Sequence, residues 1–244
     1  MSKLYLDSAN LDEIRRIAGT DAIAGVTTNP SLMAKEKKGD YHKHLVEIAD
    51  ILNRFGTSMG SKHLSVEVIT LDSFEMFTQA KELTLKLGKE QFPKLDLHIK
   101  IPVTVDNLNT ITLLENEGIK VNATACMMTS QAKLAVDAGA SVVSFFYNRM
   151  KDGGDKEPER QIENFVTMRD QEKNEYTAYD ELWGKTKSEI ICGSIRRPTD
   201  VYECWKAGAE AVTVSMKIIE LLMSHPQTDK AINGFQADIE KWLE

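Results

Sequence analysis

Eight times along this chain, a short run of alternating or branched apolar residues is followed by a longer stretch with helical spacing. That recurrence constrains the fold more than any other feature. The strand-like runs are 3–8, 24–29, 63–69, 97–104, 119–127, 141–148, 189–195 and 210–215. A period of two over such lengths, bounded by turn residues, predicts β-strands. Between them lie amphipathic stretches such as LDSFEMFTQAKELTLKLGK and TSQAKLAVDAGA, each opened by a capping-type residue. No Gly/Ser linker or low-complexity tract interrupts the series. Eight strand–helix units therefore predict an α/β fold, a (β/α)8 TIM barrel, as a single domain over 1–244 with a C-terminal helix. The rival is a doubly wound sheet, which would favour a Gly-rich first turn, and no GxGxxG occurs.

Strands of such a barrel turn apolar residues outward beneath the helices and a mixed face inward. Alternation predicts Leu64, Val66 and Val68 outward, with Ser65, Glu67 and Ile69 inward, in the third strand. In the fifth it sets Val121, Ala123 and Ala125 against Asn122, Thr124 and Cys126. The sixth opposes Val143, Phe145 and Tyr147 to Ser144, Phe146 and Asn148; the seventh opposes Ile191, Gly193 and Ile195 to Cys192, Ser194 and Arg196. The first two strands turn Tyr5, Asp7, Thr27 and Asn29 inward, and the fourth, LHIKIPVT, presents His98 and Lys100. The inner faces thus collect Asp7, Asn29, Glu67, Lys100, Asn122, Thr124, Ser144 and Ser194, mostly toward the C-terminal strand ends. Barrels of this kind build their active sites at that end.

A lysine enclosed on an inner face needs a chemical reason. A neutral amine attacks a ketone to give a Schiff base, whose protonated nitrogen draws electrons from an adjacent carbon–carbon bond. Asp7 and Glu67 are the inward carboxylates available for proton transfer. The bland alternative is an ion pair of Lys100 with Glu67 or Asp7 that only fills the barrel. Arg149 and Arg196 follow the sixth and seventh strands, and with Ser194 they suit a phosphate clamp. Solvated rim arginines are the alternative there, with Arg197 as a further one.

The formal net charge of −7 argues against broad nucleic-acid or anionic-membrane binding, although two local arginines still serve a small anion. No run approaches the ~18 apolar residues of a membrane helix, and MSKLYLDSAN has no signal-peptide core. Three widely spaced cysteines, Cys126, Cys192 and Cys204, fit a reducing cytoplasm and read as small core residues. His42 and His44 are two apart, do not share a helix face and suggest no metal site. His98 reads as a packed, hydrogen-bonded side chain in the lower barrel. DGGDKEPERQ reads as a solvated loop, and Ile232, Phe235, Ile239 and Leu243 form a helical stripe near the C-terminus.

The motifs LYLDSAN, AGVTTNPSLM, SVEVI, HIKIPVT, VNATACM, SFFYNR and GSIRRP resemble, in order, the strand motifs of the transaldolases. The likeness extends through AGAEAVTVS to HPQTDKAINGF and is greatest for the short-chain subgroup that includes the fructose-6-phosphate aldolases. It implies a class I aldolase barrel with its Schiff-base lysine at Lys100 and Asp7 as the acid/base of carbon–carbon cleavage. Glu67 and Thr124 would hold the water that shuttles protons. Asn29, Asn122 and Ser144 would hydrogen-bond the three-carbon unit, with Thr28 and Phe146 also facing substrate. Arg149, Ser194 and Arg196 would bind phosphate.

The activity so implied is transfer of a dihydroxyacetone unit from fructose 6-phosphate or sedoheptulose 7-phosphate to an aldose phosphate, in the pentose phosphate pathway of the cytoplasm. No metal or organic cofactor is implied; the partners are small sugar phosphates and further copies of the chain, as a pentamer or decamer. Free fructose-6-phosphate aldolases of the family carry glutamine and tyrosine where this chain has Glu67 and Phe146, which favours the transferase. Departures from the family pattern are the long stretch 150–187, the extended FGTSMGSKH and Ile195 in place of phenylalanine. They leave open a ketose with another anionic end, such as sulfofructose, and a free aldolase. A catalytically silent sugar-phosphate-binding barrel is the non-enzyme alternative.

Overall fold

The computed structural model describes residues 2–56, 60–172 and 188–243. Residues 57–59 of FGTSMGSKH and 173–187 of the long stretch lie outside the described residues. All eight expected strands form: β1 (Lys3–Asp7), β2 (Gly25–Thr27), β3 (Lys62–Glu67), β4 (Leu95–Pro102), β5 (Val121–Cys126), β6 (Val142–Phe146), β7 (Glu189–Gly193) and β8 (Ala211–Val214). Each pairs in parallel with its neighbours in chain order, and β1 closes on β8, giving a closed (β/α)8 barrel. The covering helices are α1 (Leu11–Ala18), α2 (Pro30–Met33), α3 (Tyr41–Phe55), α4 (Ser73–Leu87), α5 (Leu108–Asn116) and α6 (Thr129–Asp137). They continue with α7 (Tyr147–Asp152), α8 (Glu159–Glu172), α9 (Pro198–Lys206), α10 (Met216–Met223) and α11 (Pro226–Leu243).

Local sequence starts several of these helices. Asn10 Oδ1 accepts from the amides of Asp12 and Glu13 at 3.1 and 3.0 Å, and Asp72 Oδ1 accepts from Glu75 at 2.9 Å. Such caps satisfy amides that have no partner inside the helix and are worth about 1 kcal/mol each. The start of α6 differs from expectation. Thr129 lies inside the helix and bonds the Gln161 carbonyl, while Gln131 Oε1 reaches back to the amides of Met127 and Met128 at 2.8 and 3.2 Å.

The main apolar core is the layer between barrel and helices, where Leu6, Val26, Leu64, Val66, Ile99, Ile101, Val143 and Phe145 are fully buried. Two strands depart from simple alternation. In β5, Ala123 pairs with Val143 and Cys126 with Phe145, so one extra residue bulges between them, and Ala125 takes a φ of 65°. The bulge turns Ala125 inward and sends Cys126 outward into the apolar core, the reverse of the expected faces. In β7, Ile190 and Cys192 pack outward, while Ile191 and Gly193 face in, again contrary to expectation. Ser194 then adopts a left-handed φ of 60°, so it too faces inward and Ile195 returns to the core side. Ile69, expected inward, lies beyond the end of β3 and is exposed.

Candidate active site

Register sets the layer of inward polar side chains. Glu67 of β3 pairs with Lys100 of β4, which pairs with Asn122 of β5, while Asp7 of β1 pairs with Thr27 of β2. Their side chains meet in a cavity of about 430 Å³ at the C-terminal mouth of the barrel, lined also by Asn29, Ser144, Phe146, Arg149 and Ser194. The volume suits a small metabolite.

Lys100 is 4% exposed, and its Nζ donates to Glu67 Oε2 at 2.8 Å and to the Thr28 carbonyl at 2.9 Å. The ion pair anticipated as a mere filler therefore exists, yet both partners face an open cavity rather than packed side chains. Asp7 accepts a 2.8 Å hydrogen bond from Thr27 Oγ1, which lies 2.6 Å from Thr213 Oγ1. Burial pushes the Asp7 carboxyl above its ordinary range, although the Lys100 charge and the Thr27 hydroxyl pull the other way. A carboxylate so raised is a better base than a free aspartate, and it sits in a cavity beside a lysine.

Thr28 does not face the cavity. Its side chain is buried with Oγ1 3.5 Å from the Ser65 carbonyl, and its contribution is the backbone oxygen that holds Lys100. Thr124 is buried in the wall without lining the cavity, and its Oγ1 has no hydrogen-bond partner among the described residues. Asn29 lines the cavity while its Oδ1 caps α2 by accepting from Leu32 N at 3.0 Å. Asn122 and Ser144 are joined, with Ser144 Oγ donating to Asn122 Oδ1 at 2.7 Å.

Of the expected clamp, Arg149 and Ser194 reach the cavity, with the Arg149 guanidinium 5.8 Å from the centre of the Phe146 ring. Arg196 is instead held bidentately by Asp152, at 2.8 and 2.5 Å, outside the cavity lining. Arg197 pairs with Asp200, a fully buried carboxylate. Burial raises Asp200, but Asn148, the Arg197 guanidinium and the amides of Arg196 and Arg197 together hold it below its usual range. This knot fixes the rim from beneath.

Thr27 and Thr213 are site residues not singled out from sequence. Thr27 was legible by alternation, whereas nothing in EAVTVS marks Thr213 as the partner of a residue 186 positions away. In the lower barrel, His63, Asp96 and His98 bring three ligand-type atoms within 4.8 Å. The two imidazoles stack with centroids 4.4 Å apart and planes 22° apart, so their lone pairs run side by side rather than converging, and Lys120 already pairs with Asp96 at 2.7 Å. They form a packed stack, as expected for His98. All three cysteines are buried and free, and burial pushes the Cys126 thiol up to about 12, far from a reactive thiolate. A wider open groove of about 1070 Å³ between α1 and residues 33–47 carries interspersed charges of both signs and no convergent chemistry. No helix among the described residues is long and apolar enough to cross a membrane.

Comparison with known proteins agrees with the geometry. Residues 4–244 match the family model described as Transaldolase/Fructose-6-phosphate aldolase. The chain is 37% identical over 238 residues to a protein named probable transaldolase 1 from Listeria monocytogenes, covering 98% of each. It is likewise 37% identical over 239 residues to probable transaldolases of Caldicellulosiruptor saccharolyticus and of a Thermoanaerobacter species, covering 98% of this chain and 97% of each relative. With a barrel of eight parallel strands and a lysine–carboxylate cavity at its mouth, the chain belongs to the transaldolase/fructose-6-phosphate aldolase family of enzymes.

Proposed function

We propose that this enzyme transfers a dihydroxyacetone unit from a ketose phosphate to an aldose phosphate through a Schiff base on Lys100. The observation that carries the reading is the amine itself: enclosed on the barrel wall, it lies between Glu67 and the Thr28 carbonyl and opens onto the cavity that Asp7 shares. Lys100 Nζ adds to C2 of fructose 6-phosphate or sedoheptulose 7-phosphate, and loss of water gives the iminium. Glu67 takes and returns the protons of that dehydration through a water that Thr124, buried in the wall beside the cavity and unpartnered among the described residues, helps to hold. Asp7 accepts the C4 hydroxyl proton and the C3–C4 bond breaks. Its electron pair moves into the iminium to give an enamine, and the aldose phosphate leaves. An incoming aldehyde is attacked by the enamine carbon, Asp7 returns its proton to the new alkoxide, and hydrolysis frees Lys100.

Asn29, Asn122 and Ser144 hold the three-carbon unit, and Arg149 with Ser194 receives the phosphate. No metal or organic cofactor enters these steps. Glu67 and Phe146 favour transfer over free aldolase activity, because no tyrosine hydroxyl stands at position 146 to protonate the enamine. The chain acts as one catalytic domain, in the cytoplasm and in the pentose phosphate pathway. It works as a homo-oligomer, a pentamer or decamer. Among the described residues α11 buries no side chain and exposes Phe235 and Trp242, which supports a neighbouring copy as its cover.

A coupled assay for glyceraldehyde 3-phosphate released from fructose 6-phosphate tests the reading. Release that depends on added erythrose 4-phosphate is expected. Equal release without acceptor would make the enzyme a free aldolase; no release with either would move the test to a sulfonated ketose, and failure there as well would leave the silent barrel.

A further inference from the structure

Beneath the lysine layer lies a second polar layer that the reaction steps do not use. Tyr5, Gly25, His63 and Asp96 stand in register across β1 to β4. Gly25 makes the layer possible, since a Cβ there would meet the His63 carbonyl oxygen at 2.4 Å and the His63 Cβ at 2.6 Å. Over the bare glycine the Tyr5 and His63 rings stack, with centroids 4.7 Å apart and planes 13° apart, and His98 covers the other face of His63.

From this stack a hydrogen-bonded chain climbs to the cavity. His63 Nε2 lies 2.7 Å from Ser65 Oγ, Ser65 Oγ accepts from Asn122 Nδ2 at 3.0 Å, and Asn122 Oδ1 accepts from Ser144 Oγ at 2.7 Å. All four residues are at most 5% exposed, so bulk water does not replace a missing link. Donor and acceptor roles fix its direction. An amide nitrogen only donates, so Ser65 accepts from Asn122 and keeps its own proton for the next acceptor. A neutral His63 with the proton on Nδ1 supplies that acceptor at Nε2. Burial, with His98, Lys3 and Lys120 nearby, holds the imidazole well below its ordinary value and hence neutral.

We propose that His63 is a positioning residue for the transfer reaction: by accepting the Ser65 proton it locks the Asn122 amide with Oδ1 toward Ser144 and its second Nδ2 hydrogen toward the substrate cavity. Without that acceptor, Ser65 is free to donate to Asn122 instead. The amide then turns over, and the cavity loses a donor aimed at the oxygens of the three-carbon unit. The proposal rests on the reading of the cavity as the Schiff-base site.

Two measurements test it, and the first does not depend on activity. Nitrogen-15 NMR of the histidine rings at pH 7 should show His63 protonated on Nδ1 and bare on Nε2; a proton on Nε2 overturns the proposal. The second compares His63→Leu with His63→Gln, whose side-chain oxygen can accept from Ser65. His63→Leu should lower kcat/KM for the ketose about tenfold, and His63→Gln should recover to within about threefold of wild type. Inhibition by inorganic phosphate, which reads Arg149, should be the same in both. Equal losses in the two variants, no loss in either, or a parallel change in phosphate inhibition would overturn the positioning role. Borohydride trapping on wild-type Lys100 separates this failure from failure of the Schiff-base reading.

Discussion

Asp7→Asn should make the enzyme nearly inactive and more stable at the same time. Asparagine keeps the shape of the side chain and an Oδ1 that can accept from Thr27 Oγ1, now 2.8 Å from Asp7. What it removes is a buried charge, whose desolvation outweighs the attraction of Lys100 and raises the folded-state value above the ordinary 3.8. Each unit of such a rise is worth about 1.4 kcal/mol against the ionised folded state. Loss of the charged acceptor at Thr27 offsets part of that, and the expected sign is a net gain in stability. For a chain of this size each kcal/mol so gained raises Tm by about 2–4 °C.

The pH dependence has a definite sign. The stability tied to protonated Asp7 is fully present below 3.8 and lost as pH rises through the raised folded value. The advantage of the Asp7→Asn variant should therefore be absent below 3.8, grow as pH rises through the raised folded value and level off above it. Turnover should fall by about 10² to 10⁴, the range for losing a general acid/base. Calorimetry across pH with coupled kinetics checks both. A variant that is less stable at pH 8, or that retains wild-type turnover, would refute the reasoning.

Other substitutions probe the rim and the barrel wall. Asp152→Asn frees Arg196 from its bidentate partner and should lower KM for a phosphorylated acceptor about two- to fivefold; a raised KM would show that the pair supports the anion site. Phe146→Tyr places a hydroxyl in the cavity and should increase acceptor-independent release of dihydroxyacetone, read by a reductase-coupled assay. Unchanged release would remove position 146 as the determinant of transfer. Gly25→Ala drives a methyl into the His63 backbone and should cost about 3 kcal/mol or more in chemical denaturation. A loss below about 0.5 kcal/mol would mean that β2 and β3 separate easily.

The strand positions and the inward polar layer were legible because period-two alternation survives wherever a strand pairs regularly. Lys100, Glu67 and Asn122 face inward together on three neighbouring strands, and their adjacency follows from parallel register. Alternation failed at Ala125 and Cys126 and at Ile191 and Cys192, where non-glycine residues with positive φ shift the faces by one. Ala and Ser do not advertise that conformation, as Gly would. Thr28 was expected to bind substrate, yet its backbone carbonyl holds Lys100, which no residue-type argument reveals. The engagement of Arg196 with Asp152, 44 positions away, was equally hidden, because a rim arginine chooses its partner only after the loops are placed. The hydrogen bonds of Thr213, Ser65 and His63 stayed hidden because a hydroxyl or a histidine on an inner face reads as packing until its partner is seen.

The central claim is covalent chemistry at Lys100. Borohydride reduction in the presence of fructose 6-phosphate, read by intact mass and peptide mapping, tests it most directly. A stable three-carbon adduct on Lys100, absent from a folded Lys100→Met variant, is the predicted result. An unmodified Lys100 in active enzyme, or an adduct carried by another lysine, would contradict it.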